Sequence, residues 1–94
     1  MVEKNSQNWT VKVSSKAAGY LNRLDPHTRE KVTTELKALC LRENPIDHQN
    51  VKPLLGEFKG FYRLRIGKYR LIFSLLKDQR VIAVVNLVPR GDAY

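Results

Sequence analysis

Gly60-Phe-Tyr-Arg-Leu-Arg-Ile-Gly-Lys-Tyr-Arg-Leu-Ile-Phe73 is the stretch on which the reading of this chain turns. Two alternating runs flank Gly67-Lys68, a loop of the Gly-X kind that favours a tight hairpin turn. With that pair as the loop, Ile66 faces Tyr69, Arg65 faces Arg70, Leu64 faces Leu71 and Arg63 faces Ile72. Strand side chains alternate between faces. Tyr62, Leu64, Ile66, Tyr69, Leu71 and Phe73 therefore form one apolar face, while Arg63, Arg65 and Arg70 share the other. Directly opposed like charges weaken a sheet, so a hairpin selected for stability alone would avoid the Arg65/Arg70 pair. The pattern points to a scaffold that presents cations to a polyanion.

Working outward, Trp9-Thr10-Val11-Lys12-Val13 alternates and predicts a first strand with Trp9, Val11 and Val13 inward. Ser14 or Ser15 can cap a helix over about Lys16 to Leu24, with Ala17, Tyr20, Leu21 and Leu24 on one stripe. Asp25-Pro26 then starts a second helix, Asp as N-cap and Pro at the first helical position. It runs to about Arg42 with Val32, Leu36, Leu39 and Cys40 inward. The polar faces of both helices mix signs, Arg23, Arg29, Lys31, Lys37 and Arg42 beside Glu30, Glu35 and Glu43, as a solvated surface does. Glu43 to Pro53 reads as a loop, marked by Asn44-Pro45 and Lys52-Pro53. After the hairpin, Lys77-Asp78-Gln79-Arg80 turns the chain into the apolar run Val81–Val88, a strand covered on both sides. The expected fold class is α+β in the order β-α-α-β-β-β, a helical hairpin packed on a small, mostly antiparallel sheet with a basic opposite face. Residues 1–8 are read as a flexible arm and residues 9–94 as a single domain.

Composition narrows the function classes. The 94 residues suit one small core, burying about 60–70% of the unfolded chain's surface. No apolar run approaches the roughly 20 residues of a membrane span, and the polar start is not a signal peptide. A single cysteine, Cys40, excludes an internal disulfide and fits the cytoplasm. The net charge is +8, from 17 Lys/Arg against 9 Asp/Glu. Between Lys52 and Arg70 lie six basic residues and one acid, Glu57. That concentration on predicted strands implies a nucleic acid or an acidic protein segment as partner rather than a membrane.

Other chemistry is thinly supported. His27 and His48 lie 21 positions apart with no Cys/His cluster, so no metal centre or cofactor is expected. Gly56 and Gly60 lack the Lys-Ser/Thr sequel of a phosphate loop. Cys40 sits mid-helix without activation and reads as a small buried hydrophobe. The arginines remain. Arg63, Arg65 and Arg70 share a hairpin, and Arg90 follows the next strand. Arginine clusters bind phosphate bidentately, and Tyr94, Tyr62 or Phe61 could stack on a base.

Lys52-Pro53-Leu54, Gly56, Gly60-Phe61-Tyr62-Arg63-Leu64-Arg65-Ile66-Gly67 and Tyr69-Arg70-Leu71-Ile72-Phe73 resemble the core of the RelE/ParE toxin superfamily. The Ser14-Ser15-Lys16-Ala17 segment, the Leu24-Asp25 helix break and the closing Arg90-(three residues)-Tyr94 fit as well. On the RelE side, the resemblance implies a ribosome-dependent mRNA endonuclease that cleaves message in the A site by metal-independent 2′-hydroxyl attack. It also implies a cognate antitoxin whose extended helical segment wraps the toxin, with operator DNA met only through that antitoxin. By position, Arg63 and Arg65 match the two basic residues of the first hairpin strand, Arg70 the phosphate-binding arginine, and Arg90 and Tyr94 the C-terminal pair. Lys59, Phe61 and Lys68 are expected to contact RNA.

Some relatives have lysines where this chain has Arg63 and Arg65. Arginine is effectively never deprotonated near neutral pH, so these side chains can stabilise a phosphorane but cannot act as bases. Base duty falls to Lys52, to Tyr94, or to no protein group. Two rival readings remain: a ParE-type inhibitor of DNA gyrase that cleaves nothing, and a basic domain that only binds nucleic acid.

Overall fold

Strand and helix follow one another in the computed structural model much as the periodicities require, over residues 8–89, the residues the structure describes. The elements are β1 (Thr10–Val13), α1 (Ser15–Arg23), α2 (Pro26–Leu41), β2 (Val51–Pro53), β3 (Tyr62–Ile66), β4 (Tyr69–Leu76) and β5 (Val81–Pro89). Short 3-10 turns at Pro45–Asp47 and Gly56–Phe58 flank β2. One sheet runs in the order β1-β5-β4-β3-β2, with β1 parallel to β5 and every other pairing antiparallel. The α+β class stands, with one strand added: the expected loop over Glu43–Pro53 ends in β2. Pro53 misled the sequence reading. A proline lacks the ladder N–H but is tolerated on an edge strand, and β2 is an edge.

Local signals explain the helices. The Ser14 hydroxyl accepts from Ala17 N–H at 3.1 Å, capping α1. Asp25 caps α2, accepting from Thr28 N–H at 3.1 Å and from its hydroxyl at 2.7 Å. The Thr28 hydroxyl, then its backbone N–H, holds the Asp25 carboxyl below its usual range. Arg29, read from sequence as part of a solvated face, reaches back to the end of α1. Its guanidinium donates to the Leu21 carbonyl at 3.2 Å and the Leu24 carbonyl at 2.8 Å. It thereby satisfies carbonyls a helix C-terminus leaves open and fastens the helical hairpin.

The core lies between the helices and one sheet face. Ala17 and Leu24 from α1 and Val32, Leu36, Leu39 and Cys40 from α2 meet Leu64, Ile66, Leu71, Phe73, Ile82, Val84 and Leu87. Trp9 is buried, and its indole N–H donates to the Glu43 carbonyl at 3.1 Å. Val13 departs from expectation. It stands at the end of an edge strand and stays 39% exposed. Asn8, at the end of the expected arm, donates its backbone N–H to the Cys40 carbonyl at 2.9 Å and its side-chain amide to the Leu41 carbonyl at 2.8 Å.

A β-bulge adjusts β5. Ile72 pairs with Asn86 and Phe73 with Val84, leaving Val85 without a partner on β4. The extra residue flips the alternation, so Ile82, Val84 and Leu87 all reach the core despite uneven spacing. The Ser14 hydroxyl donates to the freed Val85 carbonyl at 2.9 Å, making one side chain both a helix cap and a bulge anchor. Ser14→Ala should therefore cost about 1–2 kcal/mol. Thermal unfolding should show a midpoint lowered by roughly 5–10 °C.

Candidate nucleic-acid interface

The hairpin register is the one the sequence dictates: Ile66↔Tyr69, Arg65↔Arg70, Leu64↔Leu71 and Arg63↔Ile72. Gly67 takes a positive φ of 57° at the turn and Lys68 does not, as the Gly-X form requires. Leu64, Ile66, Leu71 and Phe73 face the helices, and the arginines face away, with Ile72 on the arginine side. Tyr62 belongs to the apolar side. Its ring stacks on Phe73, with centroids 5.7 Å apart and planes 27° from parallel, so it is committed to packing rather than to a base.

Strand β2 enlarges the cationic face. Val51 pairs with Leu64 and is buried, whereas Lys52 pairs with Arg63 on the opposite side and is exposed. Two cross-strand pairs of like charge, Lys52/Arg63 and Arg65/Arg70, thus share one face of the sheet. On the same face lie Ile72 and Asn86, which are paired across β4 and β5 and buried at 2% and 6% exposure. Arg65 is exposed, and Arg63 and Arg70 are half-buried. Among the described residues, none of the four cations is ion-paired with a carboxylate.

Arg63 is the most constrained of the four. One guanidinium nitrogen donates to the Asn50 carbonyl at 3.1 Å, and that carbonyl also accepts Arg65 N–H at 3.0 Å. Partial burial, and then the nearby Arg65 and Arg70 charges, lower its pKa from the ordinary guanidinium value. Each effect disfavours positive charge, so the face holds its cations at an electrostatic cost. An anion placed there lifts that cost. Arg65→Thr removes one member of an opposed pair and should stabilise the free chain by about 0.5 kcal/mol. Urea unfolding should report a higher midpoint.

The remaining expected residues are scattered. Lys68 is exposed on the hairpin turn. Lys59 and Phe61 line a groove of about 490 Å³ with Pro53, Leu54, Leu55 and Gly56, beside the edge strand rather than on the cation face. Leu55 is 81% exposed there. Arg90 and Tyr94 lie outside the described residues, Arg90 one position beyond the end of β5. Cys40 is buried, and burial pushes its thiol above its usual value, the opposite of nucleophile activation. Sequence reasoning missed Asn50. Its role depends on a backbone carbonyl, which no side-chain pattern reveals.

A sheet with a helical hairpin on one side and four strand cations on the other defines an α+β fold with a basic face, and known proteins share that fold. The model of the ParE toxin of type II toxin–antitoxin systems, parDE, matches residues 11–94. The chain belongs to that family, within the RelE/ParE superfamily, and is a toxin of the type II toxin–antitoxin class. A candidate toxin of Methanocaldococcus jannaschii, RelE1, is 28% identical over 86 residues, 92% of this chain and 94% of the relative. The archaeal RelE–RelB complex of Pyrococcus horikoshii contains a chain 27% identical with a TM-score of 0.76, covering 92% of this chain and 99% of that one. The E. coli RelBE toxin–antitoxin complex shares the fold at 18% identity, with a TM-score of 0.67 and coverage of 90% and 99%. Among the described residues, no helix is long and apolar enough to cross a membrane.

Proposed function

We propose that this chain is a ribosome-dependent mRNA endonuclease that inhibits translation, acting on message in the A site. The observation that carries the reading is the pair of opposed like-charge couples, Lys52/Arg63 and Arg65/Arg70, on one sheet face. The 2′-hydroxyl oxygen attacks the adjacent phosphorus and the bond to the 5′ oxygen breaks, leaving a 2′,3′-cyclic phosphate and a 5′-hydroxyl. Arg65, Arg70 and Arg90 grip the scissile phosphate and offset the charge its oxygens gain. Arg63 assists from its half-buried position. Since arginines do not accept the proton, Lys52 as the neutral amine or Tyr94 as the phenolate takes it, or solvent does, and the departing 5′ oxygen takes up a proton from solvent. Tyr94 alternatively stacks on the nucleotide, and Lys59, Phe61 and Lys68 contact the flanking RNA.

A catalytic face whose strand residues are cations, with no histidine or carboxylate among them, should cut naked RNA weakly. The substrate's orientation must then come from the ribosome. Primer extension on actively translated message should show cuts spaced by codons, and robust cleavage of free message by the chain alone would contradict the reading.

A cognate antitoxin with an extended helical segment is the expected neutralising partner, in line with the toxin–antitoxin complexes among the structural relatives. Operator DNA would be met only through it. The matching family is described by ParE, so a gyrase supercoiling assay belongs beside the translation assay. Inhibited supercoiling with untouched translation would reverse the assignment.

A further inference from the structure

Asn50 reaches the cation face from outside the hairpin, and its carbonyl takes both Arg63 Nη1 at 3.1 Å and Arg65 N–H at 3.0 Å. That carbonyl belongs to the Asn50–Val51 peptide, whose own N–H donates to the His48 carbonyl at 3.0 Å. The preceding peptide is held by the same residue, Asn50 N–H donating to His48 Nδ1 at 3.0 Å. His48 therefore fixes both peptide units around Asn50, one through its backbone and one through its ring. A ring that accepts at Nδ1 is neutral and carries its proton on Nε2. On that side stands Glu35 of α2, with Oε1 3.8 Å from Nε2.

We propose that His48 is a positioning residue for the cation face: in its neutral form it holds the Asn50 carbonyl on Arg63 and Arg65, and protonation releases it. Once protonated, Nδ1 is a donor facing another donor, the Asn50 N–H, and that hydrogen bond is lost. Glu35 attracts the imidazolium from the opposite side, drawing the ring toward α2. Asp47, adjacent in the chain, favours the same cation, whereas Arg63 and Arg65 of β3, on the far side of Asn50, oppose it. The clamp is therefore set while the ring is neutral and loosened when it gains a proton. Its release would deprive the half-buried Arg63 guanidinium of its carbonyl. Lys52, two residues beyond Asn50, would shift with the same segment.

Amide correlation spectra of the full chain, titrated from about pH 8 to about pH 5, read the clamp without reference to activity. Asn50 and Arg65 amide signals should move with the His48 ring. In His48→Gln, whose side-chain carbonyl accepts at every pH, those signals should stay in place. The consequence for cleavage rests on the proposed endonuclease reading. On translated message, activity relative to His48→Gln should fall about tenfold as the pH drops across that range. His27→Gln should keep the wild-type profile. Asn50 and Arg65 amides indifferent to the His48 titration overturn the clamp, whatever the chain's activity. Amides that move while the activity ratio stays flat overturn its role in setting the cation face. Absence of cleavage at any pH sinks the endonuclease reading, and the spectra still decide for or against the clamp.

Discussion

Arg70→Ala should abolish the codon-spaced cuts on translated message, lowering the cleavage rate by about 10²–10³-fold. Arg70 lies on β4, an interior strand, directly opposite Arg65 and next to the buried Ile72. It is half-buried where Arg65 is exposed, so its guanidinium is the better fixed of the pair. Electrostatic stabilisation depends on such preorganisation, because a cation already in place need not reorganise as charge develops. The loss should not reflect unfolding, since truncation removes one of two opposed like charges and a sheet tolerates that gain. Arg70→Lys retains the charge but not the planar fork, and should recover only part of the rate. Primer extension with purified variants is the measurement. Cuts within threefold of wild type in Arg70→Ala would move the scissile phosphate off this face.

Phe73→Ala should be the most damaging single truncation in the core, costing about 3–5 kcal/mol. The side chain is completely buried and stacks on Tyr62 across the β3–β4 pair. It also sits at the register shift between Ile72 and Phe73, where the ladder to β5 skips Val85. An alanine there leaves a cavity under a bulge, where ladder hydrogen bonds are already interrupted. Domains of this size have about 5–15 kcal/mol in hand, so much of the total is lost. Urea denaturation should show the midpoint falling steeply at constant slope. A loss under about 1 kcal/mol would mean that the site collapses around the missing ring.

The two predictions separate the faces of one hairpin. Arg70 lies on the side whose composition opposes stability, and Phe73 on the side that provides it. Arg65→Thr joins the first class, raising stability as it weakens binding, and Ser14→Ala the second. A chain that lost RNA-dependent activity equally on both kinds of change would not fit this division of labour.

Much of the hairpin was legible in the chain because its signals are local. Alternation assigns the faces, Gly67 meets the turn's demand for positive φ, and a two-residue loop leaves one register. The helix start at Asp25 was equally plain, since a cap is an interaction over three residues, whereas Ser14 and Ser15 were equal candidates for α1 until the structure placed Ser14 at the cap. What escaped was non-local. β2 is three residues long and has no ladder until β3 is beside it, so Val51–Pro53 read as loop. The Val85 bulge hid inside a continuous apolar run. Arg29 looked like surface charge until the end of α1 was placed next to it.

The sequence by itself determined that Arg65 and Arg70 are opposed, because local alternation and a two-residue turn admit no other pairing. Only the tertiary structure brought Lys52 into line with Arg63 and placed the Asn50 carbonyl between Arg63 and Arg65. Those contacts join an edge segment to a strand more than ten residues away in the chain. They exist because burying Val51 against Leu64 turns Lys52 to the opposite face. A short stretch with one buried side chain carries too little periodicity to announce that on its own. The cation pair was written in the hairpin; its second half, and the residue that holds it, came from packing.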